Sequence, residues 1–303
     1  MTTTTYRTIS YKNSAGEIVD FSMPYQQFLY NIEGMGFAYE NTIEESNYSD
    51  HIYVANTKLT MPDFSGELSL LSVFGDNRNI YENQREVTRV LNYDQLMRQQ
   101  GIEAYGTLIY KNASGIEMFS RALIKSFSFG EIEEDGDELK VKISFDRISK
   151  TWISTVPKKV QINLEGSDEA HKHPFSHPWT HGQTYKAGSG TITNIGGNHF
   201  AKLVIKIHGE VSAFNLIIRD TTSSFMKQIK YEGNVNKGET LVIDNFEMFV
   251  RKDGINSIAY FDLFSADPPF FDLLPGVPYA ISVDSQNLRG SIEVELYETW
   301  VSA

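Results

Sequence analysis

The feature that most constrains the fold is a two-residue period of apolar side chains over residues 138–146. The residues on the apolar side are Leu139, Val141, Ile143 and Phe145. A strict period of two is typical of a β-strand with one face in a core and the other in water. Asp135 and Gly136 favour a tight turn that joins it to a preceding strand over 116–129. The chain is therefore expected to build antiparallel sheet here.

A single helical pattern lies between two further predicted strands. The segments 68–74 and 105–110 are rich in apolar, β-branched or aromatic residues, which is typical of strands. From 81 to about 99, apolar residues recur at helical spacing instead. The clearest members of this pattern are Val87, Val90 and Leu91, with Tyr93 or Met97 as further candidates. Gly101 is well placed to end the helix.

The second half of the chain predicts an antiparallel β-sandwich. Residues 165–187 combine prolines and glycines without an apolar period, so we place a linker there. Short strands separated by glycine-containing turns follow it, with no helical pattern between them. The predicted strands are 201–208, 214–219, 240–243, 258–263, 279–283 and 291–298. The predicted division is an N-terminal domain over 1–164, the linker over 165–187 and a C-terminal domain over 188–303.

Charge and composition exclude several classes of function. The 303 residues carry 27 Lys and Arg against 39 Asp and Glu, and the net charge of −12 argues against direct nucleic-acid recognition. The chain has no cysteine, so disulfides, thiolate metal sites and cysteine nucleophiles are excluded. No apolar run approaches the length of a membrane span, and the first residues lack the pattern of a secretory signal. We therefore expect synthesis in a cytoplasm and no membrane partner.

No catalytic motif is found in the sequence. It contains no Gly-x-Ser-x-Gly elbow, no His-Glu-x-x-His, no phosphate loop and no dinucleotide fingerprint. Its carboxylates are numerous, but nothing marks two of them as the acid and nucleophile of a glycosidase. We therefore predict that the chain is not an enzyme, with no catalytic, cofactor-binding or metal-binding residue and no cofactor.

A cluster of histidines is the one feature that leaves a metal site open. The four residues are His171, His173, His177 and His181. Imidazoles at this density can bind zinc, nickel or iron, also between copies of the chain in an oligomer. A solvated linker is the favoured interpretation, because Pro174 and Pro178 hold the segment extended and no cysteine can complete a site.

Three stretches of the second half resemble the C-terminal domain of phage distal tail proteins. The first is 190–196, GTITNIG, followed by the strand-like 201–209, AKLVIKIHG. The second is 234–244, NVNKGETLVID. The third is 253–256, DGIN, with 270–281, FFDLLPGVPYAI. Their glycines and the Pro275-Gly276 pair can set tight turns between strands, so these are scaffold features.

The resemblance is weaker elsewhere and has one departure. The order of strand, helix, strand and hairpin in the first half is similar to the belt domain of the family, but residues 21–60 have no close match and are expected to be a family-variable decoration. Pro278 stands where the family usually has asparagine, which puts the local strand pairing in question because proline lacks a backbone donor.

The resemblance implies a mainly β protein with one or two helices, built from an N-terminal belt domain of strands plus helix and a C-terminal galectin-like antiparallel β-sandwich. It implies a structural virion protein of a long-tailed phage. Six copies would form a ring at the tail tip that joins the tail tube to the baseplate and the receptor-binding apparatus for host attachment. The implied partners are other copies of the chain, the major tail tube protein, the tail-associated tip protein and receptor-binding or accessory baseplate proteins.

Two other functions remain open at this stage. The C-terminal sandwich could recognise host cell-wall saccharide, with Trp300 or Tyr297 as a stacking platform. A tail-associated hydrolase is the other alternative. The sequence does not name the host, the receptor or the residues of ring contacts.

Overall fold

The computed structural model describes residues 7–23, 25–45, 52–72, 77–130, 137–164, 188–193, 195–262, 270–285 and 288–303. This part of the chain is rich in antiparallel strands and has one α-helix, which confirms the predicted fold class. The chain divides into two compact units, Met1–Thr155 with Trp300–Ala303, and Val156–Thr299. No helix in the described ranges is long and apolar enough to span a membrane.

The first unit contains eleven strands and the helix among its described residues. Its elements are β1 (Thr8–Lys12), β2 (Ile18–Asp20), β3 (Ser22–Met23), β4 (Gln27–Glu33), β5 (Ala38–Glu45), β6 (Ile52–Thr60), β7 (Phe64–Leu71), α1 (Asn77–Gln99), β8 (Gly106–Lys111), β9 (Glu117–Phe129), β10 (Glu138–Arg147) and β11 (Trp152–Ser154). The predicted strands near 68–74, 105–110, 116–129 and 138–146 are all present with shifted ends. The Asp135-Gly136 turn lies outside the described residues.

The long strand β9 is shared by two sheets of this unit. Its first half pairs with β8, which continues through β1 to β2, and it also pairs with β11. Its second half pairs with β10, and this sheet, here called the belt sheet, continues through β7 and β4 to β3. The two sheets enclose a core in which the ring of Phe145 lies 5.3 Å from Tyr11 and 6.0 Å from Phe64. The four apolar side chains of the 138–146 period are buried there, as the alternation predicts.

Helix α1 covers this core with its apolar side. Val87, Val90 and Leu91 are buried as predicted. The helix begins at Asn77, earlier than predicted, and Ile80, two turns before Val87, is also buried. Asp94 is also fully buried on this side, which the apolar pattern did not predict.

The second unit is a β-sandwich. Its elements are β12 (Lys158–Leu164), β13 (Gly188–Ile192), β14 (His199–Val211), β15 (Phe214–Asp220), β16 (Met226–Tyr231), β17 (Thr240–Asp244), β18 (Phe249–Lys252), β19 (Ile255–Asn256), a 3-10 turn (Ile258–Tyr260), β20 (Tyr279–Ser285) and β21 (Leu288–Trp300). One sheet runs β19-β18-β17-β14-β21, with β12 on the far edge of β21. A 4-stranded sheet, β13-β20-β15-β16, packs against it through a shared apolar core.

Three details of this unit differ from the sequence expectation. The predicted strand 258–263 is wrong, because the backbone turns at Ile258–Tyr260 and then crosses the edge of β16, where Asp262 donates to Lys230. Five strands were not predicted: β12, β13, β16, β18 and β19. Pro278 does not remove a hydrogen-bond donor from the sheet, because it lies just before β20. Its carbonyl oxygen accepts a hydrogen bond from the backbone N–H of Thr221.

The position of β12 bears on the predicted domain division. This strand falls within the predicted first domain, yet it pairs with β21 from Lys158 opposite Leu296 to Leu164 opposite Gly290. It therefore belongs to the second compact unit, while Trp300–Ala303 belong to the first. The residues of the predicted linker, 165–187, lie outside the described ranges.

Candidate assembly surfaces

Strands β5 and β6 form a two-stranded arm, defined here as residues 38–45 and 52–60. In the described chain these two strands pair only with each other, from Ala38 opposite Thr60 to Glu45 opposite Ile52. A bulge at Ala55 shifts the register between Thr42 and Ile43. Every residue of β5 and most of β6 is exposed. The arm therefore contributes almost nothing to the core of its own chain.

The two faces of the arm differ in chemistry. Side chains opposite one another in an antiparallel pair lie on the same face. One face, the apolar face, carries five large apolar side chains, and Glu45 lies on it opposite Ile52. The five are Tyr39, Ile43, Ile52, Val54 and Leu59. Ile43, Ile52 and Val54 are 61%, 65% and 58% exposed. An amphipathic strand pair with its apolar face in water is expected to be an interaction element.

The opposite face of the arm is polar and carries two glutamates and one lysine. It carries the cross-strand pairs Glu40 with Lys58 and Glu44 with Tyr53. The hydroxyl of Tyr53 donates to Glu44 at 2.7 Å, and this hydrogen bond raises the pKa of the tyrosine. The hydrogen bond confirms that these two side chains share a face.

The belt sheet is open at both ends. On the side of β9 away from β10, β8 pairs only as far as Ala122, so residues 123–129 meet no strand among the described residues. At the other end, β3 pairs only with Gln27 and Phe28 of β4, which leaves residues 30–33 of β4 without a described strand partner on that side. Open strand ends are templates for pairing with another chain.

A groove lies between helix α1 and the open edge of β9. It holds about 290 Å³, and its apolar lining is Leu91, Ile124 and Phe127. Gln95 donates to the carbonyl oxygen of Ile124 at 2.8 Å, so a side chain satisfies a group that a neighbouring strand would otherwise bind. Phe129, next to Phe127 on the same side of β9, is 47% exposed. The core-facing side of the belt sheet is therefore incompletely covered at this edge.

The outer face of the larger sheet in the second unit carries a charged network. Glu295 is buried and accepts from the ammonium groups of Lys159 at 2.6 Å and Lys206 at 2.7 Å. Burial opposes ionisation of this carboxyl, but the two lysines outweigh it and lower its pKa from 4.5 to about 2. Glu293 contacts the same two lysines. The network joins three neighbouring strands and is structural.

The residues singled out as sugar platforms are engaged in protein contacts. Trp300 is half-buried and packs against the core of the first unit. Tyr297 is half-buried, and its hydroxyl donates to Glu295 at 3.4 Å. A shallow depression of about 260 Å³ in the second unit, beside Val211 and Val235, has no aromatic residue in its lining. Sugar sites usually need such a ring, so this surface does not strengthen the saccharide interpretation.

The predicted histidine cluster lies within 165–187, outside the described residues, so its metal site is still a prediction. In the described part, no group of three or more histidine, aspartate or glutamate side chains is arranged to hold a metal ion. His208 shares a hydrogen bond with Thr240 on the neighbouring strand at 3.0 Å. The arm was missed because the alternation of apolar and polar residues in β5 is weak.

Residues 9–148 match the family model described as the N-terminal domain of distal tail proteins. This range includes the helix, the belt sheet and the arm. It also includes all of 21–60, so this stretch is part of the matched domain, and Gln27–Glu33 within it is an integral strand of the belt sheet. No curated protein sequence matches the chain.

Two solved phage structures have a similar fold over almost the whole chain. The Dit protein (gp 19.1) of phage SPP1, described as a paradigm of hub adsorption apparatus in phages that infect Gram-positive bacteria, has a TM-score of 0.63 at 10% identity. A chain of the phage P2 baseplate in its activated conformation with calcium has a TM-score of 0.55 at 13% identity. Each comparison covers 96% of this chain and 98% of the other. At these identities the likeness shows the fold alone.

The fold and the family match together define a structural component of a phage tail. Residues 9–148 match the N-terminal domain of the distal tail protein family. The resemblance in the sequence is thereby confirmed, although the match falls on the half in which the motifs were weaker.

Proposed function

We propose that this distal tail protein forms a hexameric ring at the tip of a phage tail and joins the tail tube to the baseplate and its receptor-binding proteins. Its action is assembly, and no covalent bond is made or broken. The proposed partners are copies of itself, the major tail tube protein, the tail-associated tip protein and receptor-binding or accessory baseplate proteins. The proposed location is the virion, after synthesis in the host cytoplasm.

The observation that carries this proposal is the exposed arm. An isolated two-stranded hairpin is marginally stable in water, and it becomes stable when its apolar face packs against another surface. Within the described chain the apolar face of the arm is uncovered. A partner surface is therefore required, and an assembly protein supplies one.

The two open ends of the belt sheet support a ring of like copies. The edge at 123–129 of β9 and the edge at 30–33 of β4 lie at opposite ends of one sheet. A contact that joins different surfaces of successive copies is heterologous, and it closes as a ring when the rotation per copy divides the circle evenly. The two open edges are different surfaces, as a heterologous contact between successive copies requires.

Native mass spectrometry of the full chain tests the proposal. The expected species has six times the chain mass of 34.4 kDa. The species should dissociate on dilution in a cooperative step, because a ring that loses one member loses two contacts. A monomer or a two-fold dimer at every concentration would contradict the proposal.

A further inference from the structure

We infer that residues 300–303 act as a strap that holds the arm in one orientation, through a contact with the pivot at its base. The pivot is defined here as residues 34–37 and 61–63, the two segments that connect β5 and β6 to the belt sheet. Neither segment belongs to a strand, and both are short. The inference concerns a single chain, so it does not depend on the proposed ring.

Within the described chain, the orientation of the arm is set at its base. Its two strands pair only with each other. The described hydrogen bonds of its side chains also stay within the arm, for example the one from Thr60 to the carbonyl oxygen of Ala38 at 3.1 Å. An element that is joined to its domain by two short connecting segments can turn as a unit when the backbone angles of those segments change.

One side of the pivot is fixed to the core of the first unit. Gly34 lies so close to the backbone of Asp63 that a Cβ on the glycine would be 2.0 Å from the carbonyl oxygen. The guanidinium of Arg147 donates to the carbonyl oxygen of Gly34 at 3.3 Å. The ammonium of Lys125 pairs with the carboxylates of Asp63 and Asp146. These contacts tie both connecting segments to β9 and β10.

The guanidinium of Arg147 is held in an unusual environment. It lies over the ring of Trp152, 4.5 Å from its centroid, and its Nε donates to the hydroxyl of Ser120 at 3.2 Å. Its Nη2 is buried, and no carboxylate among the described residues pairs with it. Burial lowers its pKa to about 10. A buried cation without a carboxylate is costly, so the few contacts that it makes, including that with Gly34, are expected to matter.

The other side of the pivot has room to turn. A Cβ on Gly36 would meet no atom within 4 Å. The ring of Phe37 packs against Tyr39 at 5.5 Å, so Phe37 moves with the arm. In the returning segment the ring of Pro62 restricts φ, whereas glycine leaves the backbone free. Rotation of the arm is therefore expected at Met35 and Gly36.

The strap contacts the pivot at this point. The backbone N–H of Ala303 donates to the carbonyl oxygen of Met35 at 3.2 Å. Trp300 packs against the core of the first unit, and Val301 is buried. The side chain of Met35 packs against the same core. The strap is thus anchored by its own side chains while its last N–H holds the residue about which the arm turns.

The strap is the direct continuation of β21. This strand pairs with β12 on one side and with β14 on the other, so it is an integral part of the larger sheet in the second unit. The segment that holds the arm and a long strand of the second unit are therefore one continuous stretch of chain. A displacement at the end of β21 would loosen the strap, which gives the arm a means to respond to the second unit.

Two substitutions of one exposed residue test the strap. Ala303→Pro removes the N–H that donates to Met35, and Ala303→Gly keeps it. The orientation of the arm is measured as the distribution of distances between nitroxide labels on Thr42→Cys in the arm and Ser114→Cys in the turn between β8 and β9. Both positions are exposed, and the natural chain has no cysteine. The full chain is diluted until it has the mass of a single chain.

The natural chain and Ala303→Gly are expected to give one narrow distribution, and Ala303→Pro a broader one. The second measurement is the oxidation of Met35 by hydrogen peroxide, with Met23, 41% exposed in the same unit, as the internal reference. In Ala303→Pro the rate at Met35 relative to Met23 is expected to rise about two- to tenfold, the effect of losing one hydrogen bond on a local opening equilibrium.

Adding Gly36→Ala to Ala303→Pro is expected to narrow the distribution again, because alanine restricts the backbone at a position where its Cβ fits. Equal distributions for Ala303→Pro and Ala303→Gly overturn the strap. A broader distribution without faster oxidation of Met35 also overturns it, because the arm then turns somewhere other than at this pivot.

Discussion

The hydroxyl of Tyr11 donates to the carboxylate of Asp94 at 2.7 Å, which joins the first strand of the chain to helix α1 inside the core of the first unit. Both side chains are fully buried. The backbone N–H of Ser14 donates to the other oxygen of Asp94 at 3.0 Å. Burial, together with the carboxylate of Asp94, raises the pKa of Tyr11, so the phenol remains the donor at neutral pH.

Replacing Tyr11 by phenylalanine is predicted to lower the free energy of unfolding by about 1–3 kcal/mol, because a buried carboxylate loses one of its donors. Chemical denaturation of the full chain measures this. Tyr105→Phe is the control, since the hydroxyl of Tyr105 donates to the exposed Glu103 at 3.1 Å. The control is expected to change stability by less than about 0.5 kcal/mol. Equal effects of the two changes would show that the buried carboxylate does not depend on Tyr11.

Two glycines of the first unit should differ in their tolerance of alanine. Gly34 and Gly16 both have positive φ, +79° and +92°. A Cβ at Gly34 would lie 2.0 Å from the carbonyl oxygen of Asp63, whereas a Cβ at Gly16 meets no atom within 4 Å. Gly16→Ala is predicted to cost about 1 kcal/mol from backbone strain alone. Gly34→Ala is predicted to lower the free energy of unfolding clearly more in the same denaturation assay. A smaller decrease than for Gly16→Ala would contradict the close approach of Gly34 to Asp63.

The buried Glu295 predicts a pH-dependent contribution to stability. Its pKa is about 2 in the folded chain, below the ordinary 4.5, so its contribution is fully present above pH 4.5 and is lost as the pH falls toward 2. Glu295→Gln should therefore destabilise the second unit at pH 7 by about 1.5–3 kcal/mol, the range for hydrogen bonds to charged groups. The difference from the natural chain should shrink between pH 4.5 and 2.

The control for that experiment is Glu232→Gln. Glu232 forms an exposed ion pair with Lys230 at 3.0 Å, and such pairs contribute about 0–1 kcal/mol. A loss for Glu295→Gln that is as small as for Glu232→Gln, or that does not change with pH, would contradict the role of the lysine pair.

The apolar face of the arm should control assembly without controlling the fold. Ile43→Thr with Val54→Thr replaces one cross-strand pair on the apolar face, and Glu44→Thr with Tyr53→Thr replaces the adjacent pair on the polar face. Threonine keeps the β-branched preference for strands. The first variant is predicted to weaken ring formation by tenfold or more, about 1.4 kcal/mol, and the second by less. Sedimentation over a concentration series measures both, and the reverse order would contradict an apolar docking face.

Much of the fold could be predicted because its strands obey a simple period. The alternation from Leu139 to Phe145 fixes both the strand and its buried face, and Val87, Val90 and Leu91 fix the helix in the same way. Asp94 escaped prediction because its two donors, Tyr11 and Ser14, lie about eighty residues away in the sequence. A local pattern holds no information about such a partner.

The candidate assembly surfaces were harder to predict. Residues of β5 and β6 face water on both sides in the single chain, so no burial imposes a strong period on them. The segment 258–263 was predicted as a strand because of its apolar composition. The hydrogen bond from the backbone N–H of Tyr260 to the carbonyl oxygen of Ser257 closes a 3-10 turn there instead. The motifs between 190 and 281 marked turns of a scaffold, and turns do not identify a contact surface.

Negative-stain electron microscopy of the purified chain tests the ring most directly. The account predicts ring-shaped particles with sixfold symmetry in end views, and their loss in the Ile43→Thr and Val54→Thr variant. Uniform small particles of single-chain size, or rings that persist unchanged when the apolar face of the arm is altered, would contradict it.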